Sequence, residues 1–163
     1  MAAPPSPSLL DVCRDLPVAT FADGEALLPE GETTGRLYVL VEGVVEVAKG
    51  EHRIDTVAEP GAVFGEMSVL LEAPHMATVR ALGPVRAHVS EDGASFIRAH
   101  PHIAFHLARV IARRLNGVTA YLVDLKTQFE AEAGHLGFVD EILECLLHQP
   151  LDAFTPGSDR DPG

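Results

Sequence analysis

Residues 60–81 read PGAVFGEMSVLLEAPHMATVRA. Phe64-Gly65-Glu66 stands immediately before a short apolar run, Met67 to Leu71, with Met67 and Ser68 in its first turn. Backbone N–H groups at the start of a helix have no intrahelical partner and carry partial positive charge, which suits a phosphate. Gly65 allows the backbone to come close. Glu66 would repel the phosphate, but it can accept hydrogen bonds from a sugar hydroxyl. Such a pocket needs a cation to neutralise the phosphate, and the planar fork of an arginine does this best. The segment then ends in Ala73-Pro74-His75-Met76-Ala77-Thr78-Val79, where the one side chain able to become a cation is His75.

Other groups of chemically capable residues are weaker. His100, His102 and His106 cluster, and the last two lie four apart, as metal ligands on one helix face do. No carboxylate or cysteine joins them locally, so they read as surface histidines and no metal is expected. A cupin needs an H-x-H and a following Glu on barrel strands, whereas the strand region here offers only His52 and His75. No Ser/His/Asp or Cys/His arrangement is legible, and no catalytic residue is assigned. The chain is expected not to be an enzyme and to need no cofactor.

The elements around residues 60–81 change character once along 163 residues. From about Thr20 to Val89 short apolar runs are cut by Gly, Pro and Asp, as in an antiparallel barrel or sandwich. Leu37–Val41 and Val44–Val47, joined by Glu42-Gly43, read as a hairpin. Lys49-Gly50-Glu51 and Glu59-Pro60-Gly61 read as turns, and Ala77–Ala81 and Val85–Val89 as two strands separated by Gly83-Pro84. From about Gly93 the apolar residues recur at three- and four-residue steps. His100-Pro101 divides a short helix from a long one that runs to Lys126 or beyond, and a further helix is expected over about Val139 to Leu147.

Composition narrows the partners. With 47% hydrophobic and 22% charged residues the chain can build a core. A formal net charge of −12 disfavours grip on DNA or an anionic membrane. Arg109, Arg113 and Arg114 read as a solvated helix face. Cys13 and Cys145 are too few and too far apart for a disulfide framework. The start, MAAPPSPS, lacks the pattern of a signal peptide, and no segment approaches the roughly 18 apolar residues of a membrane span. A cytoplasmic protein is expected.

The order of these features resembles the cyclic-nucleotide-binding domain family, over roughly residues 15 to 128. That family has F-G-E, a short helix, then R-[ST/A]-A-[TS]-V; here stand Phe64-Gly65-Glu66, Met67 to Pro74, and His75-Met76-Ala77-Thr78-Val79. Gly24, Gly31, Tyr38, Gly43 and Gly61 fall where that barrel has its turns, and Ala108 to Leu115 looks like the dimerising helix of bacterial members. The resemblance implies a binding site for cAMP or cGMP made of Phe64, Gly65, Glu66, Met67, Ser68, His75, Met76 and Ala77, with Thr119 on the long helix offering a hydroxyl to the purine. The departure is at His75, where the family has its phosphate arginine, and at Met76, where many members have a hydroxyl. A neutral imidazole offers one donor and no fork.

The expected organisation is an α+β chain. Residues 1–14 form a flexible segment with a short helix, and 15–100 an antiparallel barrel or jelly roll. Residues 101–128 form a long dimerisation helix, 129–151 a short helical extension, and 152–163 a disordered tail. After Gln128 no helix-turn-helix pattern is legible, and the segment is acidic through Glu130, Glu132, Asp140, Glu141 and Glu144, so a stand-alone sensor of bacterial type is expected. Its function would be weak recognition of cAMP, cGMP or a relative, in a homodimer whose seam involves Ile111, Leu115, Val118 and Leu122. The apolar face of Leu136, Val139, Ile142, Leu143, Leu146 and Leu147 would serve as lid, dimer element or docking surface for a protein partner. The alternative is a ligand-free dimeric scaffold that keeps the fold alone.

Overall fold

The computed structural model describes residues 7–129 and 137–148. The expected tail at 152–163, most of the junction at 129–136, and the side chains of Leu136, Val139 and Leu147 lie outside the described residues. The chain divides into two units, Met1–Leu107 and Ala108–Gly163, and the division falls inside the long helix.

In the first unit Ser8 caps a short helix α1, Leu9–Val12, in a reciprocal capping box with Asp11. Six strands follow: β1 Val18–Phe21, β2 Ala26–Leu28, β3 Leu37–Lys49, β4 His52–Val57, β5 Val63–Phe64 and β6 Thr78–Ser90. Helix α2, Glu66–Leu71, separates β5 from β6, and α3, Gly93–Ala99, follows β6. Every strand pair is antiparallel, in the order β1-β6-β3-β4, with β2 also on β6 and β5 also on β3. This is a jelly-roll-like arrangement, in keeping with the antiparallel barrel or jelly roll expected.

Two expected turns are bends within single strands. β3 runs unbroken through Glu42-Gly43 and β6 unbroken through Gly83-Pro84, and their mutual register shifts between Leu40 and Val44. A bulge uses the same residues as a tight turn. Gly43 has φ of 103°, and a β-carbon there would lie 2.4 Å from the Pro84 carbonyl oxygen. A side chain at position 43 would therefore collide with β6 at this bulge.

Leu37–Leu40 is apolar throughout because β3 is covered on both faces here. Tyr38 and Leu40 face the barrel core with Leu28, Phe64, Val79 and Val85. Leu37 and Val39 face a second core with Cys13, Val69, Phe96, Ile97, Ile103 and Leu107. Burial pushes the Cys13 thiol up to about 11, so it is an unreactive core residue. On the outer face the buried carboxylate of Glu46 accepts from Arg53 Nε of β4 and, at 2.5 Å, from Arg80 Nε of β6. These contacts hold that carboxyl below the usual range, Arg80 first.

His100 ends α3 and Pro101 opens α4, Pro101–Phe129. Only the start of α4, through Ile103 and Leu107, joins the second core. In the second unit Leu115, Val118, Tyr121 and Val123 of α4 are exposed. There Lys126 donates to Asp140 of α5, Gly137–His148, where Leu143 is buried and Ile142 exposed. No helix among the described residues is long and apolar enough to cross a membrane.

Candidate ligand-binding cassette

β5 delivers Phe64 into the barrel core by pairing it with Tyr38. The chain must then turn sharply into α2. Gly65 does this with φ of 92°, and a β-carbon there would lie 2.4 Å from the Arg36 carbonyl oxygen. Its glycine identity thus follows from packing against the 29–36 loop, whatever approaches from the pocket side. The Val69 N–H donates to the Gly65 carbonyl and starts the helix. Glu66 is 4% exposed at the head of α2, although carboxylates rarely sit inside.

Ser68 has a local task. Its hydroxyl donates to the Ala73 carbonyl, and the Ala73 N–H donates back to the Ser68 carbonyl at 3.1 Å. Together they close the C-terminal end of α2, where Glu72 adopts a left-handed conformation with φ of 50°. Met67, Leu70 and Leu71 are exposed, Met76 is 60% exposed, and Ala77 is half-buried.

Backbone bonds strap the descending end of the cassette to the 29–36 loop. The His75 N–H donates to the Glu32 carbonyl and the Gly31 N–H donates to the His75 carbonyl, both at 2.9 Å. The Glu30 N–H donates to Thr78 Oγ1 at 3.0 Å. Lys49 Nζ donates to the Met76 carbonyl at 2.9 Å and lies 3.8 Å from Glu30.

The His75 side chain is 5% exposed, with Nε2 2.9 Å from Thr34 Oγ1. The same Thr34 oxygen accepts the Arg36 N–H at 3.2 Å. A neutral ring protonated at Nδ1 satisfies this chain of bonds, because the Thr34 hydroxyl is then free to donate to Nε2. Burial holds the imidazole below its ordinary pKa, and the Glu32 carboxylate opposes this in part. Burial thus favours the uncharged form of His75.

Residues 18–91 match the family model described as the cyclic nucleotide-binding domain. Residues 18–91 are a cyclic nucleotide-binding domain. A CRP-like cAMP-activated global transcriptional regulator of Mycobacterium tuberculosis is 31% identical over 118 residues, covering 69% of this chain and 53% of that protein. The structure of the Thermus thermophilus catabolite activator protein is 26% identical with a TM-score of 0.61, over 75% of this chain and 61% of that one. A structure of Sp-2Cl-cAMPS bound to PKAR CBD2 is 25% identical with a TM-score of 0.56, over 67% of this chain and 84% of that one. The chain spans about half the length of the curated relatives it matches.

Within the cyclic nucleotide-binding domain Phe64, Gly65, Glu66, Met67 and Ser68 form the β5–α2 turn, and His75, Met76 and Ala77 stand between α2 and β6 against the 29–36 loop. Thr119 belongs to the second unit, where its hydroxyl donates to the Leu115 carbonyl at 2.8 Å. His100 Nδ1 lies 2.8 Å from the Phe96 carbonyl and its ring packs on Phe96, so it completes the end of α3. Among the described residues no group of three His, Cys, Asp or Glu is placed to hold a metal ion.

Thr34 is the residue that sequence reasoning missed. It lies 41 positions before its partner, in a loop of ordinary turn composition, and only the 31–75 backbone strap makes them neighbours. A cleft of about 500 Å³ lies between the end of α2 and the start of α3, lined in part by Ser68, Glu72, Glu91 and Asp92. Several of its polar groups have structural tasks: Glu91 holds Arg36, Asp92 caps α3 at Ser95, and Ser68 closes α2.

Proposed function

We propose that this chain is a regulatory sensor module that binds cAMP or cGMP weakly, or a related ligand, at the cassette of residues 64–77 and performs no chemical step. The observation that supports this is a cyclic nucleotide-binding domain with its Phe64-Gly65-Glu66 turn in place and a buried His75 where the family's arginine stands. Loss of a charge-assisted bidentate contact removes on the order of 1.5–3 kcal/mol per bond, enough to move micromolar binding towards millimolar.

The module works as a homodimer in this reading. Leu115, Val118, Tyr121 and Val123 of α4 are exposed on a helix far longer than its buried start, and such apolar residues are satisfied by a second copy. α5 serves as a lid, a further dimer element, or the contact to a protein partner. A thermal-shift titration of the full chain with cAMP and cGMP into the millimolar range tests the ligand reading. Stabilisation by either supports it. A flat response to both, and to their parent nucleosides, makes the chain a ligand-free scaffold.

A further inference from the structure

One of the bonds that hold the 29–36 loop on the cassette can change with pH. The loop joins β2 to β3 and lies outside every strand. It is attached through the backbone bonds of Gly31 and Glu32 with His75, the Glu30 N–H on Thr78 Oγ1, and the contact of Thr34 with the His75 ring. A loop tied in this way opens at a lower free energy than the strands of a core. The ring is the enclosed part of the attachment, with Nε2 2.9 Å from a Thr34 oxygen that also accepts the Arg36 N–H at 3.2 Å. While the ring is neutral, the Thr34 hydroxyl can donate to Nε2. Once Nε2 carries a proton it is itself a donor. The hydroxyl hydrogen then loses its acceptor, and the Thr34 oxygen must serve two donors. The imidazolium would also sit where burial has largely removed water, which is costly without an enclosed partner of opposite charge.

The charged groups on the surrounding elements are otherwise engaged or in solvent. Glu32 bears on the ring but is exposed, so water and salt screen it. On the same loop Glu30 accepts the Gly50 N–H and lies beside Lys49 at the end of β3, and Arg36 is bound to Glu91. On β6 Arg80 is bound to Glu46. On α2 the buried Glu66 has its own interaction and Glu72 is exposed. We infer that His75 is a proton-operated latch: it holds the 29–36 loop against the cassette while its ring is neutral and releases the loop when the ring takes up a proton. Opening the loop places the imidazolium in water, where it titrates near its ordinary value of about 6.5, whereas burial holds it lower in the closed form. The closed form is therefore fully favoured above about pH 6.5 and loses ground as pH falls below it. The device does not depend on which ligand the cassette takes.

Amide exchange read by NMR on the full chain at pH 7.5 and pH 5, corrected for the intrinsic pH dependence of exchange, tests this. The Gly31 and His75 N–H groups form the strap, and the Leu40 N–H, bonded to the Ala62 carbonyl in the barrel core, is the reference. Strap protection should fall at least about threefold relative to Leu40 at the lower pH. His75→Gln keeps a side-chain donor but cannot become charged, and there the fall should be absent. A strap indifferent to pH, an equal fall in His75→Gln, or an equal loss at Leu40 overturns the inference. Should His75→Gln fail to fold, the NMR titration of the ring decides beside the parent's exchange. A midpoint below about 6.5 that accompanies the loss of strap protection supports the latch, and a midpoint at or above that value overturns it.

Discussion

Thr34 Oγ1 lies 2.9 Å from Nε2 of a His75 ring that is almost wholly buried. The hydroxyl meets the ring's polar demand from the 29–36 loop. The end of the cassette at His75 is thus tied to the 29–36 loop by side chain as well as by backbone. Removing the hydroxyl leaves a buried ring nitrogen without its partner. Thr34→Val should destabilise the domain by about 1–3 kcal/mol in chemical denaturation. An unchanged midpoint would mean that water replaces the hydroxyl and that the ring is less enclosed.

The same burial makes stability pH-dependent. The folded-state pKa of His75 lies below its ordinary 6.5, so the unfolded chain binds the proton more readily between the two values. Stability from this group is complete above about pH 6.5 and is lost as pH falls below it. Melting temperatures between pH 5 and 7.5 should therefore drop on the acid side for the parent and drop less for His75→Asn. Parallel profiles would show that the ring titrates as it does in the unfolded chain.

Gly65 is fixed by backbone geometry before any ligand arrives. Gly65→Ala forces a left-handed residue and a clash with the Arg36 carbonyl, and it should cost at least about 1–3 kcal/mol. The loss should appear in denaturant melts without ligand. A neutral effect would place the importance of this glycine on the pocket side instead.

Leu115 is exposed midway along α4. If a second copy covers this face, Leu115→Asp should raise the dimer dissociation constant at least about tenfold in sedimentation equilibrium, while the melting of the domain stays within about 0.5 kcal/mol of the parent. A parent that sediments as a monomer at micromolar concentration contradicts the dimer.

The cassette, the Lys49-Gly50-Glu51 hairpin turn and the break at His100-Pro101 were legible because each depends on local chemistry: a helix start, a glycine turn, a proline that opens a helix. Glu42-Gly43 and Gly83-Pro84 were misread as turns because bulge and turn use the same residue types, and only the pairing of β3 with β6 distinguishes them. The Glu46–Arg53–Arg80 cluster needs the register of three strands before its members meet. The burial of His75 and its bond to Thr34 were not legible, since they come from a loop that only the folded chain brings to it.

The central claim is that this cassette is a nucleotide-class site altered at its phosphate position. Calorimetry with cAMP on His75→Arg beside the parent tests it most directly. Arginine restores the planar bidentate donor, so cAMP affinity should rise at least tenfold, which is about 1.4 kcal/mol. A well-folded His75→Arg protein that binds cAMP no better than the parent would contradict the account, because more than the cation would then be missing and Glu66 would be a structural residue.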